Sequence, residues 1–167
     1  LRRPKHEDDR GFFKEIFHLN EIEELLGIDF KIVQVNHTFS KKGVLRGIHA
    51  EGWNKLIYPI NGEVFVAIVD MRPDSKTFKK VETFTINDND RFALFVSKGL
   101  GNSYIVTSDQ SVDYAYFVDA YYDGRDQRAI VWNDPDVSID WRIKDPIISE
   151  RDKNNPKLRD LFPEKFQ

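Results

Sequence analysis

Short apolar or alternating runs follow one another along most of this chain, with polar turn material between them. The runs are GFFKEIFHL, FKIVQVNHTFS, VLRGIHAE, NKLIYPI, EVFVAIVDM, KKVETFTI, RFALFVSK, GNSYIVTS and VDYAYFVD, and the breaks include SKKG, NG, RPDS, NDND and DQS. Period-2 patterning at this length predicts strands, and breaks this short leave no room for helical crossovers, so the strands pair antiparallel. Asn61-Gly62 is the strongest hairpin signal, because both residues tolerate positive φ. One segment departs from the pattern. LNEIEELLG reads as a short helix, with Asn20 as its cap, Glu23 three residues on and Gly27 as its end. After Tyr122 the periodicity fades into a stretch rich in prolines and carboxylates, which predicts a tail wrapping the domain and ending in a brief helix. The expectation is a single all-β domain over residues 1–167. It is a jelly-roll barrel with one short N-terminal helix and a C-terminal wrapping tail.

Composition excludes several classes. The chain has 167 residues, enough for a substantial core, and a net charge of −3 gives no basic excess for nucleic acid. Cysteine is absent, which removes disulfides and thiolate metal sites. No apolar run is long enough to span a bilayer, and LRRPKHEDD at the start is polar, unlike a secretory leader, so a cytoplasmic protein is expected.

The stretch from Gly43 to Val64 carries the first candidate chemistry, His49 and Lys55 among apolar residues. An imidazole metal site needs several histidines converging on one cavity. This chain has four in all, and only His49 lies in a core strand beside other functional groups, so no metal is expected. A lone strand histidine is most often hydrogen-bonded and inert. Three other residues shift that weighing. Lys55 follows on the next strand, Tyr116 shares a strand face with Tyr114 and Val118, and Asp152 supplies a carboxylate able to orient an imidazole. Brought together, they would make a base, an oxyanion stabiliser and a phenolic acid. Spacing alone does not bring them together.

The blocks DDRGFFKE, QVNHTFSKKGVLRGIHAEG, KLIYPINGEVFVAIVDMR, YAYFVDAYY, WNDPDVSIDW and PIISERDKNNPKL, in this order, resemble the dTDP-4-dehydrorhamnose 3,5-epimerase family over nearly the whole chain. The resemblance implies a metal-free jelly roll of the cupin class that needs no cofactor and forms a homodimer. It implies epimerisation of a nucleotide-linked 4-keto-6-deoxyhexose. His49 resembles the general base, with Asp152 as its partner. Lys55 resembles the stabiliser of the ketone oxygen, and Tyr116 the acid on the opposite face. Arg10, Gln34, Asn36, Arg46 and Tyr122 resemble the nucleotide and phosphate contacts, with Arg10 reaching into the partner subunit.

This chain departs from the family pattern in two places. Asn102, in SKGLGNSYIV, stands where the family has a second histidine, which makes it a substrate contact without charge and leaves C3-only epimerisation open. The loop AEGWN before Lys55 is short, and its Trp53 either shapes the cavity mouth or packs on the surface. Arg46 and His49 also have opposite parity on one strand, so both face a cavity only if the strand bulges near Gly47. The alternatives to an epimerase are a related 3,4-ketoisomerase, which relies on a histidine pair, and a sugar-nucleotide-binding cupin without activity.

Overall fold

A computed structural model describes residues 1–124 and 127–166, with Gln127 described for its backbone only. In chain order the strands begin with β1 (His6–Asp8), β2 (Gly11–Phe13), β3 (Gln34–Ser40), β4 (Leu45–Glu51), β5 (Lys55–Pro59) and β6 (Val64–Asp70). They continue with β7 (Val81–Ile86), β8 (Leu94–Val96), β9 (Leu100–Val106), β10 (Val112–Val118) and β11 (Gln127–Ala129). Helices are few and short: α1 (Leu19–Leu26), α2 (Glu150–Lys153), α3 (Leu158–Leu161) and a 3-10 turn at Pro163–Lys165.

Two sheets form the body. One has the order β3-β10-β5-β8 and the other β11-β4-β9-β6-β7, with every pairing between these named strands antiparallel, while β1 and β2 make a separate hairpin. The inner faces bury Ile57 and Tyr114 of the first sheet against Val64, Val66, Tyr104 and Val106 of the second. Tyr104 and Tyr114 stack across the gap with ring centroids 4.2 Å apart. This is a jelly roll of two packed sheets. Its described strands do not close into a hydrogen-bonded barrel, which corrects the barrel part of the expectation.

The outer faces are covered unequally. Ile22 of α1 and Phe30 pack on Leu56, Tyr58 and Ala93 behind the first sheet. Behind the second sheet the tail lays Ile130, Val137, Trp141, Leu158 and Phe162 against Leu45, Phe65, Ala67 and Ile105. The expected wrapping tail is therefore a third layer of core.

Two local expectations need correction. Asn20 does not cap α1: His18 occupies that position with extended backbone and no capping side chain, so the helix starts earlier than the cap signal implied, while Gly27 ends it at φ 64°. Asn61-Gly62 does turn the chain, but β5 and β6 belong to opposite sheets, so the turn is a crossover and not a hairpin. Only Gly62 takes positive φ (66°). Asn61 instead accepts the Asp113 N–H at 2.6 Å through Oδ1, and Gly62 N–H donates to Asp88. These long-range bonds replace the ladder a hairpin would have made.

Candidate active site

The cavity between the sheets takes shape from an irregularity in β4. Arg46 faces Tyr104 and His49 faces Asn102, so three steps on β4 match two on β9, and the strand bulges between them. The extra residue puts Arg46, His49 and Glu51 on the inner side together, as the parity of the sequence required. Gly47 sits in the bulge at φ 119°, and a Cβ there would lie 2.6 Å from Ser103 Cβ and 2.7 Å from the Asn102 carbonyl oxygen. No other residue fits that backbone without displacing β9.

The same bulge meets the tail. Ile147 bonds to Gly43 and Leu45 through the backbone, and Ser149 then starts α2 by accepting the Asp152 N–H at 3.1 Å. Asp152 is thereby buried, with Oδ1 2.7 Å from His49 Nε2 and Oδ2 3.5 Å from the Gly47 nitrogen. Burial opposes charge on Asp152, but the bond to His49, the His49 charge, the Gly47 N–H and the Ser149 hydroxyl outweigh it. They hold the carboxyl below its usual range. A carboxylate on one ring nitrogen fixes the imidazole's orientation and leaves the other nitrogen for chemistry.

Across the cavity, the first sheet supplies the remaining polar groups. Lys55 begins β5 and is 5% exposed, and its ammonium forms an ion pair with Glu51 of the opposite sheet. Burial pushes the Lys55 ammonium below the usual lysine range, and Glu51 pulls part of the way back. Tyr116 lies on β10, between β3 and β5. Burial, then the charge of Glu51, push its phenol above the usual tyrosine range, so it keeps its proton.

His49, Glu51, Lys55, Asn102, Tyr116 and Asp152 line one cavity of about 410 Å³, with Arg46, Thr38, Tyr104 and Tyr114. A second cavity of about 310 Å³ adjoins it, lined by Gln34, Asn36, Trp53, Tyr122 and Arg151, and shares His49, Glu51 and Tyr116 with the first. Trp53 and Tyr122 meet edge to face at 6.4 Å, so Trp53 shapes a cavity mouth. Gln34 holds this wall together, donating to Asn36 at 2.9 Å and accepting the Tyr122 N–H at 3.2 Å. Arg46 donates to Ser40 Oγ at 3.0 Å, and Ser40 and Thr38 both share hydrogen bonds with the Tyr104 hydroxyl.

The structure thus brings His49, Lys55, Tyr116, Asp152, Gln34, Asn36, Arg46, Asn102 and Tyr122 to two adjoining cavities. Arg10 is not among them. It stands exposed at the tip of the β1–β2 hairpin, paired with Asp8, away from the His49 cavity of its own chain. Sequence reasoning missed Glu51, although it lies two residues from His49 and period-2 alternation puts both on one face. It also missed Tyr104 and Thr38. Asn102 and Tyr114 carry a further signal: Asn102 Nδ2 and the Tyr114 hydroxyl are buried without a hydrogen-bond partner among the described residues. Burial, then electrostatic repulsion from the Tyr104 phenol, push the Tyr114 hydroxyl well above the usual tyrosine range, against a weaker pull from nearby Asn102. Among the described residues, no three His, Asp or Glu side chains gather as a metal site, and no helix is long and apolar enough to cross a membrane.

Two facing antiparallel sheets with a polar, acid–base cavity between them define a jelly-roll protein of the cupin class. Residues 1–160 match the family described as dTDP-4-dehydrorhamnose 3,5-epimerase, and the chain belongs to that family. It is 34% identical over 157 residues to the dTDP-4-dehydrorhamnose 3,5-epimerase of Shigella flexneri, covering 92% of this chain and 86% of that one. A dTDP-6-deoxy-D-glucose-3,5-epimerase from Legionella pneumophila, solved with dTDP-4-keto-L-rhamnose, superposes with a TM-score of 0.90. It has 33% identity and covers 98% of this chain and 89% of its own. ChmJ, a 3'-monoepimerase from Streptomyces bikiniensis solved with dTDP-quinovose, gives 0.88 at 29% identity, covering 95% and 82%.

Proposed function

We propose that this protein epimerises a nucleotide-linked 4-keto-6-deoxyhexose at the carbons beside its ketone, as one domain built around one site. The observation that carries this is the cavity wall: an imidazole on one sheet held by a carboxylate of α2, and a phenol and a buried ammonium on the other sheet, all facing one space. The ketone acidifies the neighbouring C–H bonds. His49 takes a proton from C3 or C5, and the C–H electron pair moves to form the enolate, whose charge rests on the ketone oxygen. The Lys55 ammonium stabilises that oxygen in a site where burial makes electrostatics strong. Tyr116 then gives its phenol proton to the carbon from the opposite face, which inverts it. Proton exchange with solvent restores both groups. The product is an isomer of the substrate, so no electrons leave and no redox cofactor is consumed.

The adjoining cavity suits the nucleotide. Trp53 and Tyr122 offer aromatic surface, Gln34 and Asn36 offer amides, and Arg46 lies beside the first cavity where a diphosphate would pass. The working form is a homodimer. Val35 and Phe39 are more than half exposed on the outer face of the edge strand β3, as are Phe12 and Phe13 on the N-terminal hairpin. Pairing of these surfaces would carry Arg10 toward the partner's cavity. A cytoplasmic location is part of the same proposal.

Incubation with dTDP-4-keto-6-deoxyglucose in deuterated water tests the reading. Deuterium at both C3 and C5 is the result of a 3,5-epimerase, and label at C3 alone that of a monoepimerase with Asn102 opposite the base. No label from any 4-keto sugar nucleotide would overturn it.

A further inference from the structure

The Lys55 ammonium is buried in a jelly-roll interior, and such a charge survives there only with a counter-charge. Its partner is Glu51, the last residue of β4, whose side chain is 9% exposed against 6% for Lys55. The pair joins the two sheets: Glu51 belongs to the sheet of His49, and Lys55 to the sheet of Tyr116. Glu51 also lines both cavities, a property it shares only with His49 and Tyr116 among the residues of the two walls. Its position is therefore central to the site, although it has no place in the proton transfers themselves.

We propose that Glu51 is a positioning residue for the reaction, fixing the Lys55 ammonium against the wall where His49 and Tyr116 meet. Lysine has three N–H donors, and Glu51 is its one acceptor among the described residues, so donors remain for the ketone oxygen. The carboxylate acts in two directions. It offsets the burial that would discharge Lys55, and its field helps keep the Tyr116 proton in place until the enolate takes it. Other charged or titratable groups around the pair are Arg46 and His49 on β4, Tyr104 on β9, Tyr114 and Tyr116 on β10, Tyr122 beyond it, and Arg151 and Asp152 of α2. A third cavity touching Glu51 from its far side adds Arg72, Lys98 and Arg128. Arg72 is already paired with Asp70, and Lys55 is the one cation that Glu51 contacts in the described structure.

This inference rests on the epimerase reading, and its test separates the two. Lysine labelled with 13C at Cε, assigned with Lys55→Arg, reports the Lys55 titration by NMR without any substrate. The epimerase rate is followed in parallel by deuterium exchange at C3 from about pH 6 to about pH 9. Glu51→Gln is expected to move the Lys55 titration down. Its exchange rate should match wild type within a few-fold at the acid end and fall toward the roughly 10²-fold loss of an oxyanion donor at the alkaline end. Glu51→Asp, which keeps the charge, should restore much of the alkaline rate, and it carries the test alone if the Gln variant does not fold. An unmoved Lys55 titration, or a loss equal at every pH, would overturn the proposal, as would an Asp variant no better than Gln. A wild-type protein without turnover would overturn the epimerase reading, while the NMR titration would still decide the pair.

Discussion

Replacing Asp152 with Asn removes one charge from the site and almost no volume. His49 Nε2 lies 2.7 Å from Asp152 Oδ1, with the carboxylate side chain 7% and the imidazole 25% exposed. When His49 takes a proton from the sugar, an imidazolium forms with its charge centre about 4 Å from that of the carboxylate. At an effective dielectric of ~20 that attraction is about 4 kcal/mol. The amide that replaces the carboxylate keeps a hydrogen bond worth about 1 kcal/mol. The difference, about 3 kcal/mol, corresponds to roughly 10²-fold in the rate of proton abstraction at about 1.4 kcal/mol per decade. The amide has a second difficulty. Both carboxylate oxygens face donors, Oδ1 toward His49 and Asn155 and Oδ2 toward Gly47, so an amide must turn its NH₂ toward one of these sides. Deuterium wash-in at C3, measured with circular dichroism and a thermal melt to confirm the fold, reads the effect. A folded Asp152→Asn variant that loses less than about threefold in exchange would refute the reasoning, because the charge would then not support the base.

Tyr116→Phe should slow inversion at least about tenfold more than wash-in at the same carbon, since forming the enolate does not use the opposite-face acid; equal losses would remove Tyr116 from that role. Gly101→Ala should destabilise the protein by about 1–3 kcal/mol in urea melts, because its Cβ would lie 2.7 Å from Ile48 Cγ2 and 2.8 Å from Met71 Sδ in packed core. Asp70→Asn should cost about 1–3 kcal/mol at neutral pH, as buried Asp70 accepts from Arg72, Ser75 and Thr77. Burial opposes the Asp70 charge, but these donors hold its carboxyl far below the usual range. Its contribution is therefore complete above the unfolded carboxyl value of about 3.9 and is lost as pH falls toward the lower folded value. Urea midpoints of wild type and Asp70→Asn should converge on acidification, and a gap constant with pH would contradict this.

Much of the site was legible because its chemistry is local to short blocks. RGIH, NKL, YAYF and SERD each place one candidate side chain beside neighbours that define its strand or turn. The parity conflict between Arg46 and His49 even located the bulge at Gly47, since a period-2 strand cannot show both side chains to one cavity. Glu51 escaped notice for the opposite reason. A carboxylate at a strand end reads as solvated, and only its partner on another sheet makes it buried.

What the sequence determined by itself is what depends on local periodicity and backbone tolerance: an all-β chain, the positions of its longer strands though not of the three-residue β1 and β11, the αL end of α1 at Gly27 and the tail that follows the last long strand. The tertiary structure decided which sheet each strand joins. A turn such as Asn61-Gly62 reverses the chain equally well into a hairpin or a crossover, and the choice lies with Asp88 and Asp113, far along the chain. The same holds for the site. His49 and Asp152 are 103 residues apart, and Glu51 and Lys55, only four apart, face each other from different sheets. Such contacts form only when burial of both sheets compensates the entropy of bringing distant segments together, and no local pattern encodes that balance.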